Sequence, residues 1–204
     1  METKIYAKCI DKDVRLALYG MLEYAAVKLF PRRMRKTSIN LHLKHHDWDG
    51  EAMIMEGYTG RHPRDFKIVI DPYRIMKDDW DRELNYSEWV SKLLRTLAHE
   101  MVHVKQYIMG ELTYKRGAMC WNGKKVGWMS GEEYYCSPHE VEAYGKELWL
   151  QLGYTAVGIK LKTRKYDRVI TFFRWYDSYV WICNNRYCLG LDCNVISGTE
   201  NALL

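Results

Sequence analysis

The feature that most constrains this chain is a segment, residues 86 to 108, in which apolar side chains recur at helical spacing. Projected at about 100° per residue, these side chains fall in one arc. They are Val90, Leu93, Leu94, Leu97, Met101, Val104 and Ile108. His99 and His103 fall almost opposite the arc. The segment is therefore predicted to be a helix of about six turns with a core face and a reactive face.

Both ends of this helix carry capping signals. Asn85 or Ser87 supplies the N-cap, and Glu88 completes an Asn-x-x-Glu capping box with Asn85. Gly110 follows the last apolar residue and is the expected C-terminal stop. Local sequence alone therefore predicts where the helix begins and ends.

The reactive face carries an HExxH pattern, which runs from His99 through Glu100 to His103. The four-residue step puts the two imidazoles about 40° apart, one turn from each other, and Glu100 about 60° from His103. Two nitrogens can then bind one zinc ion while the carboxylate faces a water molecule beside it. A metal-free amphipathic helix with two histidines on its solvent-exposed face would show the same pattern, and this alternative stays open.

A catalytic zinc site needs a third protein ligand and an open position for water. A second predicted helix, from Ser137 to about Leu152, offers Glu140. The side chains expected to face the core on this helix are Val141, Tyr144, Gly145, Leu148 and Leu152. Glu140 borders that face, whereas Glu142 points away from it and is the fallback ligand. Ser137, Pro138 and Glu140 also form a capping box, so a purely structural role for Glu140 is the alternative.

Three further segments complete the predicted layout. Residues 13 to 30 repeat apolar positions at helical spacing, and Pro31 ends that run. Alternating apolar and polar residues predict three short strands. These are residues 39–43, 52–56 and 66–70. A helix, three strands and two ligand-bearing helices make an α+β layout.

HEMVH followed by a downstream helix with Glu-x-Glu-Ala-Tyr resembles the gluzincin branch of the zincin metallopeptidases. In that family, the first glutamate of the second helix is the third zinc ligand, and it corresponds to Glu140. The family's acidic or amide residue four places later, which orients a ligand histidine, corresponds to Tyr144, a departure from the pattern. The resemblance extends more loosely to small one-domain zincins of bacteria and phages and to SprT-like proteins, over residues 10 to 155. A histidine third ligand is the SprT-like pattern, for which His139 is the nearby candidate.

This resemblance implies a minimal zincin domain with a small twisted, mainly antiparallel sheet above the active-site helix. It also implies that residues 66 to 70 form the edge strand beside the cleft, where an extended peptide can pair with it. Residues 111 to 136 are expected to form an irregular loop or hairpin over the site, because they are rich in glycine and aromatic residues. The expected division is a zincin-like domain over residues 1–155 and a C-terminal extension, residues 156–204, packed on the same domain as a hairpin or lobe.

The length and charge of the chain limit the number of domains, the location and the partners that can be expected. At 204 residues the chain is long enough for one domain with an appendage, and no apolar run approaches the roughly 18 residues that span a bilayer. The charged start is unlike a secretory leader, so a soluble cytoplasmic protein is expected, in the host cytoplasm if the gene is phage-encoded. The net charge is +5, and basic residues cluster at positions 32–36 and 160–165. These clusters are interpreted as solvated faces, with nucleic acid as the alternative partner.

Two other groups of residues are weaker candidates for metal sites. The six cysteines are read as reduced thiols, and Cys183, Cys188 and Cys193 lack the two-residue spacing of a zinc knuckle. A cluster at a predicted strand end is read as ordinary polar turn residues. Its members are His42, His45, His46 and Asp47.

The function expected from these residues is zinc-dependent hydrolysis of peptide bonds in a peptide or protein substrate. His99, His103 and Glu140 hold Zn²⁺, and Glu100 acts as general base toward the zinc-bound water. Four tyrosines are chemically suited to stabilise the developing oxyanion. They are Tyr107, Tyr134, Tyr135 and Tyr144. The alternatives are a SprT-like protease acting on nucleic-acid-associated proteins and a catalytically inactive zinc-binding interaction protein; the sequence leaves the physiological substrate and the oligomeric state open.

Overall fold

A computed structural model describes residues 1–8, 10–47, 51–56, 64–77, 80–115, 117–126, 131–157, 162–163, 166–167, 170–175 and 178–183. The chain divides into two compact units, Met1–Tyr154 and Thr155–Leu204. The first unit is a mixed α+β fold. Its elements are β1 (Glu2–Ala7), α1 (Lys12–Leu29), β2 (Ser38–Leu43), β3 (Ala52–Glu56), β4 (Asp65–Ile70), α2 (Tyr86–Met109), β5 (Leu112–Lys115), β6 (Ala118–Trp121), β7 (Lys124–Lys125), α3 (Glu132–Tyr135) and α4, which begins at Pro138 and ends at Val157.

The main sheet has four strands in the order β1, β2, β4, β3. β1, which the sequence patterns do not predict, pairs with β2 in parallel, and α1 is the crossover between them. β2 also pairs with β4 in parallel, and among the described strands of this sheet only β3 pairs antiparallel, with β4. The expectation of a mainly antiparallel sheet is therefore wrong. Alternation shows which face of a strand is buried, but it does not identify the strand's neighbours.

The expected edge strand is also misplaced. Residues 66 to 70 belong to β4, which lies between β2 and β3 and has partners on both sides. β3 is the edge strand next to it, and β3 and β4 both contact α2. Because β4 is interior, Ile68, Val69 and Ile70 are all fully buried.

Helix α2 confirms the predicted core face and both predicted ends. All seven residues of the apolar arc are buried. Asn85 and Glu88 form a reciprocal capping box, and Gly110 ends the helix in the left-handed conformation, with φ of 77°. The helix contacts α1 and the sheet, so its apolar arc lies in the core of the first unit.

Helix α4 packs with a different face from the one predicted. Val141, Tyr144, Gly145 and Leu148, expected in the core, are exposed. The residues it buries are His139, Glu140, Ala143, Glu147, Leu150, Gln151, Tyr154 and Thr155. This face is largely polar, so the rule that the apolar face of a helix is the buried one fails here. Burying such groups is favourable only when each finds a partner, which the facing side of α2 supplies.

Close packing of small and aromatic residues fixes α4 against α1. A Cβ atom on Gly20 of α1 would lie 2.5 Å from the Tyr154 hydroxyl oxygen, so only glycine fits there. That hydroxyl donates a hydrogen bond to the carbonyl oxygen of Ala17 at 3.0 Å. Gly153 of α4 approaches the hydroxyl of Tyr24 in the reverse arrangement. The C-terminal half of α4 is thereby held close to α1.

The segment between α2 and α4 is more regular than the sequence predicts. β5, β6 and β7 form a three-stranded antiparallel sheet, followed by the short helix α3. In the second unit, β8 (Lys162–Thr163) pairs with β9 (Tyr166–Asp167), and β10 (Ile170–Trp175) pairs with β11 (Ser178–Cys183). Among the described residues, no helix has both the length and the apolar character needed to cross a membrane.

Candidate metal centre

Three side chains from two helices converge on one point. On α2, the Nε2 atoms of His99 and His103 lie 3.1 Å apart. From α4, the carboxylate of Glu140 approaches both, with Oε2 3.2 Å from His99 Nε2 and Oε1 3.3 Å from His103 Nε2. Glu140 and His103 are buried, and the side chain of His99 is 13 % exposed. These three residues form a group that could hold a metal ion.

The three side chains are close enough to share one metal ion. Imidazole nitrogens and carboxylate oxygens bind zinc at about 2.0 to 2.2 Å, so two donors at a tetrahedral angle are about 3.3 Å apart. The two Nε2 atoms are 3.1 Å apart, and each lies 3.2 to 3.3 Å from a different oxygen of Glu140. With one donor atom taken from each residue, the three donors lie within 4.8 Å of one another. Glu140 Oε2 is buried, and within the described ranges no donor meets it in good hydrogen-bond geometry. A bound cation can satisfy a buried carboxylate oxygen of this kind.

The pKa shifts of these residues also favour a bound cation. Burial opposes the charge of His99, but hydrogen bonds to Glu140 and Glu147 outweigh burial and raise the pKa of the imidazole to about 10. Burial also disfavours ionised Glu140, yet its hydrogen bonds to His103 and His99 hold the pKa of the carboxyl well below its usual range. The cluster thus favours a positive charge among its donors, which a bound metal ion can supply.

Glu147 orients the first histidine. Its Oε2 lies 2.8 Å from His99 Nδ1, and its Oε1 accepts a hydrogen bond from Arg95 Nε at 2.6 Å. Because a carboxylate only accepts, His99 Nδ1 carries a proton, which leaves Nε2, the atom beside Glu140, as the ring nitrogen that can bind a metal ion. The family pattern assigns the orienting role to the position of Tyr144, whose ring instead packs edge-on against His99, with centroids 4.7 Å apart.

Sequence reasoning missed Glu147, Arg95 and Gln106. One available signal is that Glu147 lies seven residues after Glu140, two helical turns along the same face. Gln106 lies three residues after His103, and its Oε1 is 2.8 Å from His103 Nδ1. Both ligand histidines therefore have a hydrogen-bond partner on the ring nitrogen that faces away from the cluster.

Glu100 is buried on α2, and no described side chain donates a hydrogen bond to its carboxylate. It interacts electrostatically with His103, His99 and Glu140. Burial raises its pKa against the opposing effect of the two histidines. Glu100 is not part of the donor group, so it combines a proton-accepting side chain with a position next to the ligands.

The four candidate tyrosines have different positions. Burial, together with an interaction between its hydroxyl and the Glu140 carboxylate, raises the pKa of Tyr134, so the phenol stays protonated and can act as a donor. Tyr144 packs on His99, and Tyr135 packs on Tyr144, with ring centroids 5.9 Å apart. Tyr107 is buried against Phe66 of the sheet. Tyr134 is therefore the tyrosine that contacts a donor of the group through its hydroxyl.

The alternative third ligands have other partners. Glu142 binds Lys105 at 2.7 Å, Lys146 and Gln106, and these contacts outweigh burial and lower its pKa to about 2. His139 is buried, but it lies outside the donor group, with its ring centroid 6.1 Å from that of His103. Neither residue joins the two histidines in the way that Glu140 does.

The two weaker candidate metal sites from the sequence are not part of this group. His45 Nδ1 pairs with the buried Asp71 at 2.7 Å, and in the described part of the chain the histidines and aspartate near the end of β2 form no metal-ligating group. Cys183 lies in β11, and Cys188 and Cys193 lie outside the described residues.

The first basic cluster lies at the surface between α1 and β2. Arg32, Arg35 and Lys36 are exposed, and Arg33 donates a hydrogen bond to the carbonyl oxygen of Ile108. Within the described ranges, none of these four residues pairs with a carboxylate. Of the second cluster, only Lys162 and Thr163 are described, in β8.

Comparisons with known proteins leave this geometry as the basis for assigning a role. No family model, no curated protein and no solved structure matches the chain.

Proposed function

We propose that this chain is a zinc-dependent metallopeptidase with a zincin-like fold, in which His99, His103 and Glu140 hold the metal and Glu100 is the general base. One observation carries the proposal: two imidazole nitrogens and a carboxylate lie 3.1 to 3.3 Å from each other, beside a buried glutamate that is not one of the donors. A purely structural zinc usually has four side-chain ligands and needs no such glutamate. The choice of a peptide bond as substrate rests on the resemblance of HExxH plus glutamate to the gluzincins.

Zinc, when bound, supplies Lewis-acid chemistry: it polarises a carbonyl and lowers the pKa of a water molecule toward about 7. Glu100 accepts the proton of the water that attacks the peptide carbonyl carbon. The carbon–nitrogen bond then breaks, and Glu100 delivers the proton to the leaving amine. The new carboxyl group loses the second proton of the water, which the amine takes up, so the products are a carboxylate and an ammonium group and Glu100 ends as it began.

Tyr134 stabilises the oxyanion in this proposal. Its hydroxyl interacts with Glu140, and its raised pKa keeps it protonated. When the Glu140 carboxylate binds the metal instead, the single phenol proton is free to turn to the carbonyl oxygen as negative charge develops. Tyr144 and Tyr135 line the same side of the centre with half-exposed rings. They are suited to contact the substrate without taking part in proton transfer.

The direct test is metal content together with hydrolysis. Protein purified gently from zinc-replete cells should contain about one zinc per chain and cleave an unfolded protein substrate. A chelator should stop cleavage, and added zinc should restore it. Finding no metal would favour the metal-free helix. Zinc without cleavage of any protein in a broad panel would favour the inactive interaction protein. Salt-sensitive DNA affinity would favour the SprT-like alternative.

A further inference from the structure

A buried amide connects the second histidine of the centre to helix α4. Gln106 is fully buried, with Oε1 2.8 Å from His103 Nδ1. Its Nε2 donates to the carbonyl oxygen of His139 at 2.9 Å and to a carboxylate oxygen of Glu142 at 3.0 Å. One glutamine on α2 therefore contacts a histidine of the centre on one side and two groups of α4 on the other.

The chemistry of these partners determines how the amide is oriented. A backbone carbonyl and a carboxylate can only accept hydrogen bonds, so the amide nitrogen must face His139 and Glu142. Oε1 of Gln106 then faces His103 and can only accept, so His103 Nδ1 must carry a proton. In a neutral imidazole with that proton, the lone pair lies on Nε2, the atom that approaches His99 and Glu140.

We propose that Glu142 and Gln106 form a relay that holds His103 in its Nδ1-protonated tautomer and directs its Nε2 atom at the metal. Both are positioning residues, because they act through His103 and do not contact the metal themselves. This role rests on the proposed zinc site and extends it. Helix α4 then contributes twice: Glu140 is a ligand, and Glu142 orients a ligand that belongs to α2.

The surroundings of Glu142 are consistent with such a role. Lys105 of α2 donates to its Oε1 at 2.7 Å, and Lys146 of α4 also contacts that oxygen. Lys105 donates in addition to Glu111 at 2.6 Å, which ties the group to the end of α2. The second oxygen of Glu142 is left for Gln106. The carboxylate is therefore held by both helices, and it can restrict the rotation of the amide.

The test compares two buried glutamines that bridge the same pair of helices. Gln106→Met keeps the length of the side chain but removes both the amide oxygen that accepts from His103 and the amide nitrogen that donates to α4. Zinc affinity should therefore fall by about 10- to 100-fold. The matched control is Gln151→Met. Gln151 is buried on α4, and its amide donates to the carbonyl and hydroxyl oxygens of Ser91 at 2.8 Å each, with no bond to either histidine. This control should leave zinc affinity nearly unchanged even if it lowers the free energy of unfolding.

A second readout follows His103 directly. In the zinc-loaded protein, the Nδ1 protons of His99 and His103 should both exchange slowly and give two imidazole N–H signals in the nuclear magnetic resonance spectrum. Gln106→Met should remove the His103 signal only, and Gln151→Met should keep both. If Gln106→Met does not fold, Glu142→Gln, at a less buried position, should still make the His103 proton exchange faster.

A double-mutant cycle tests whether Glu142 acts through Gln106. Glu142→Gln should weaken zinc binding in the wild-type background and have no further effect in Gln106→Met. Wild-type zinc affinity in Gln106→Met, an equal loss in Gln151→Met, a retained His103 signal or additive losses in the cycle would each overturn the relay. Wild-type protein that binds zinc but cleaves nothing would overturn the peptidase proposal and leave the relay standing. Wild-type protein that binds no zinc would overturn both.

Discussion

Glu147 Oε2 lies 2.8 Å from His99 Nδ1, although the two residues belong to different helices and are 48 positions apart. The other oxygen of Glu147 accepts a hydrogen bond from Arg95 at 2.6 Å, so the carboxylate is anchored on α2 as well. A metal-binding histidine commonly donates its second ring proton to a carboxylate, which fixes the ring and raises its basicity. Here that carboxylate comes from the same helix as the proposed third ligand.

Replacing Glu147 should lower the affinity for zinc without abolishing zinc binding. Glu147→Gln keeps the shape of the side chain but removes the negative charge that strengthens the hydrogen bond donated by His99 Nδ1. Zinc affinity, measured by competition with a chelator, should fall about 10-fold. Glu133→Gln, at an exposed position on α3, is the control and should bind zinc like the wild type. An unchanged zinc affinity in Glu147→Gln would contradict the orienting role.

The two glutamates at the start of α4 should differ in their effect on zinc. Glu140→Ala removes a donor and should lose zinc almost completely, whereas Glu142→Ala removes only the group behind Gln106 and should lose much less. Because a lost capping residue can itself cost about 0.5 to 2 kcal/mol, urea unfolding should be measured on both variants. Equal zinc loss, or greater loss in Glu142→Ala, would mean that Glu140 is not the third ligand.

Glu100→Gln should separate catalysis from metal binding. Glu100 lies outside the donor group, so the variant should keep its fold and its zinc. Hydrolysis of an unfolded protein should fall by at least about 10²-fold, the lower range for loss of a general acid-base group. Wild-type cleavage with zinc still bound would refute the mechanism. Loss of zinc would instead assign Glu100 to the ligand set.

The phenol of Tyr134 should matter for turnover more than for zinc. Tyr134→Phe removes the hydroxyl that contacts Glu140 but keeps the ring. The turnover number should fall about 10²-fold, typical for a lost oxyanion donor, with little change in zinc content. Tyr114→Phe, on β5 and half exposed, is the control. Unchanged turnover in Tyr134→Phe would point to Tyr144 or to a backbone donor.

The buried carboxylate of Asp71 predicts a pH dependence of stability away from the metal centre. Burial raises the pKa of Asp71, but hydrogen bonds from the backbone of Tyr73 and His46 and from the His45 side chain outweigh burial and hold it below its usual 3.8. Its ionised form therefore stabilises the fold above the unfolded pKa of about 3.9, and this contribution is lost as the pH falls through the lower folded value.

Asp71→Asn tests that sign. The variant should be less stable than the wild type by about 1 to 3 kcal/mol near neutral pH, because hydrogen bonds to a charged acceptor are lost. The difference in free energy of unfolding should be constant above about pH 5 and shrink below about pH 4. Urea titrations across that range provide the measurement. A difference that grows on acidification would mean that the folded pKa is raised.

Local sequence was sufficient to predict the bounds of α2 and the position of its two histidines on one face of the helix. The capping box of Asn85 and Glu88, the left-handed Gly110 and the four-residue step from His99 to His103 all depend on residues within one helical turn of each other. Such contacts form in any chain that folds this segment as a helix. The mixed α+β character follows in the same way, since periods of 3.6 and 2 residues distinguish helices from strands.

The tertiary structure alone decided the sheet order and the packing of α4. Strand alternation left the neighbours of β4 open, because parallel pairing depends on the α1 crossover and on β1, whose sequence pattern is weak. The apolar residues of α4 suggested a core face at Val141 and Leu148, yet both are exposed. The buried face is polar because its side chains have partners on α2, and no periodicity on one helix can show what another helix offers.

The same reason explains why the sequence singled out Glu140 but not its supporting residues. A motif gives the residue types and spacing of donors along one helix. The contacts of Glu147 with His99 and of Glu142 with Gln106 depend instead on the register between α2 and α4. That register is set by the packing of α4 against α1, where Gly20 and Tyr154 meet, and against α2. A one-residue shift would turn Glu147 away from His99 by about 100°.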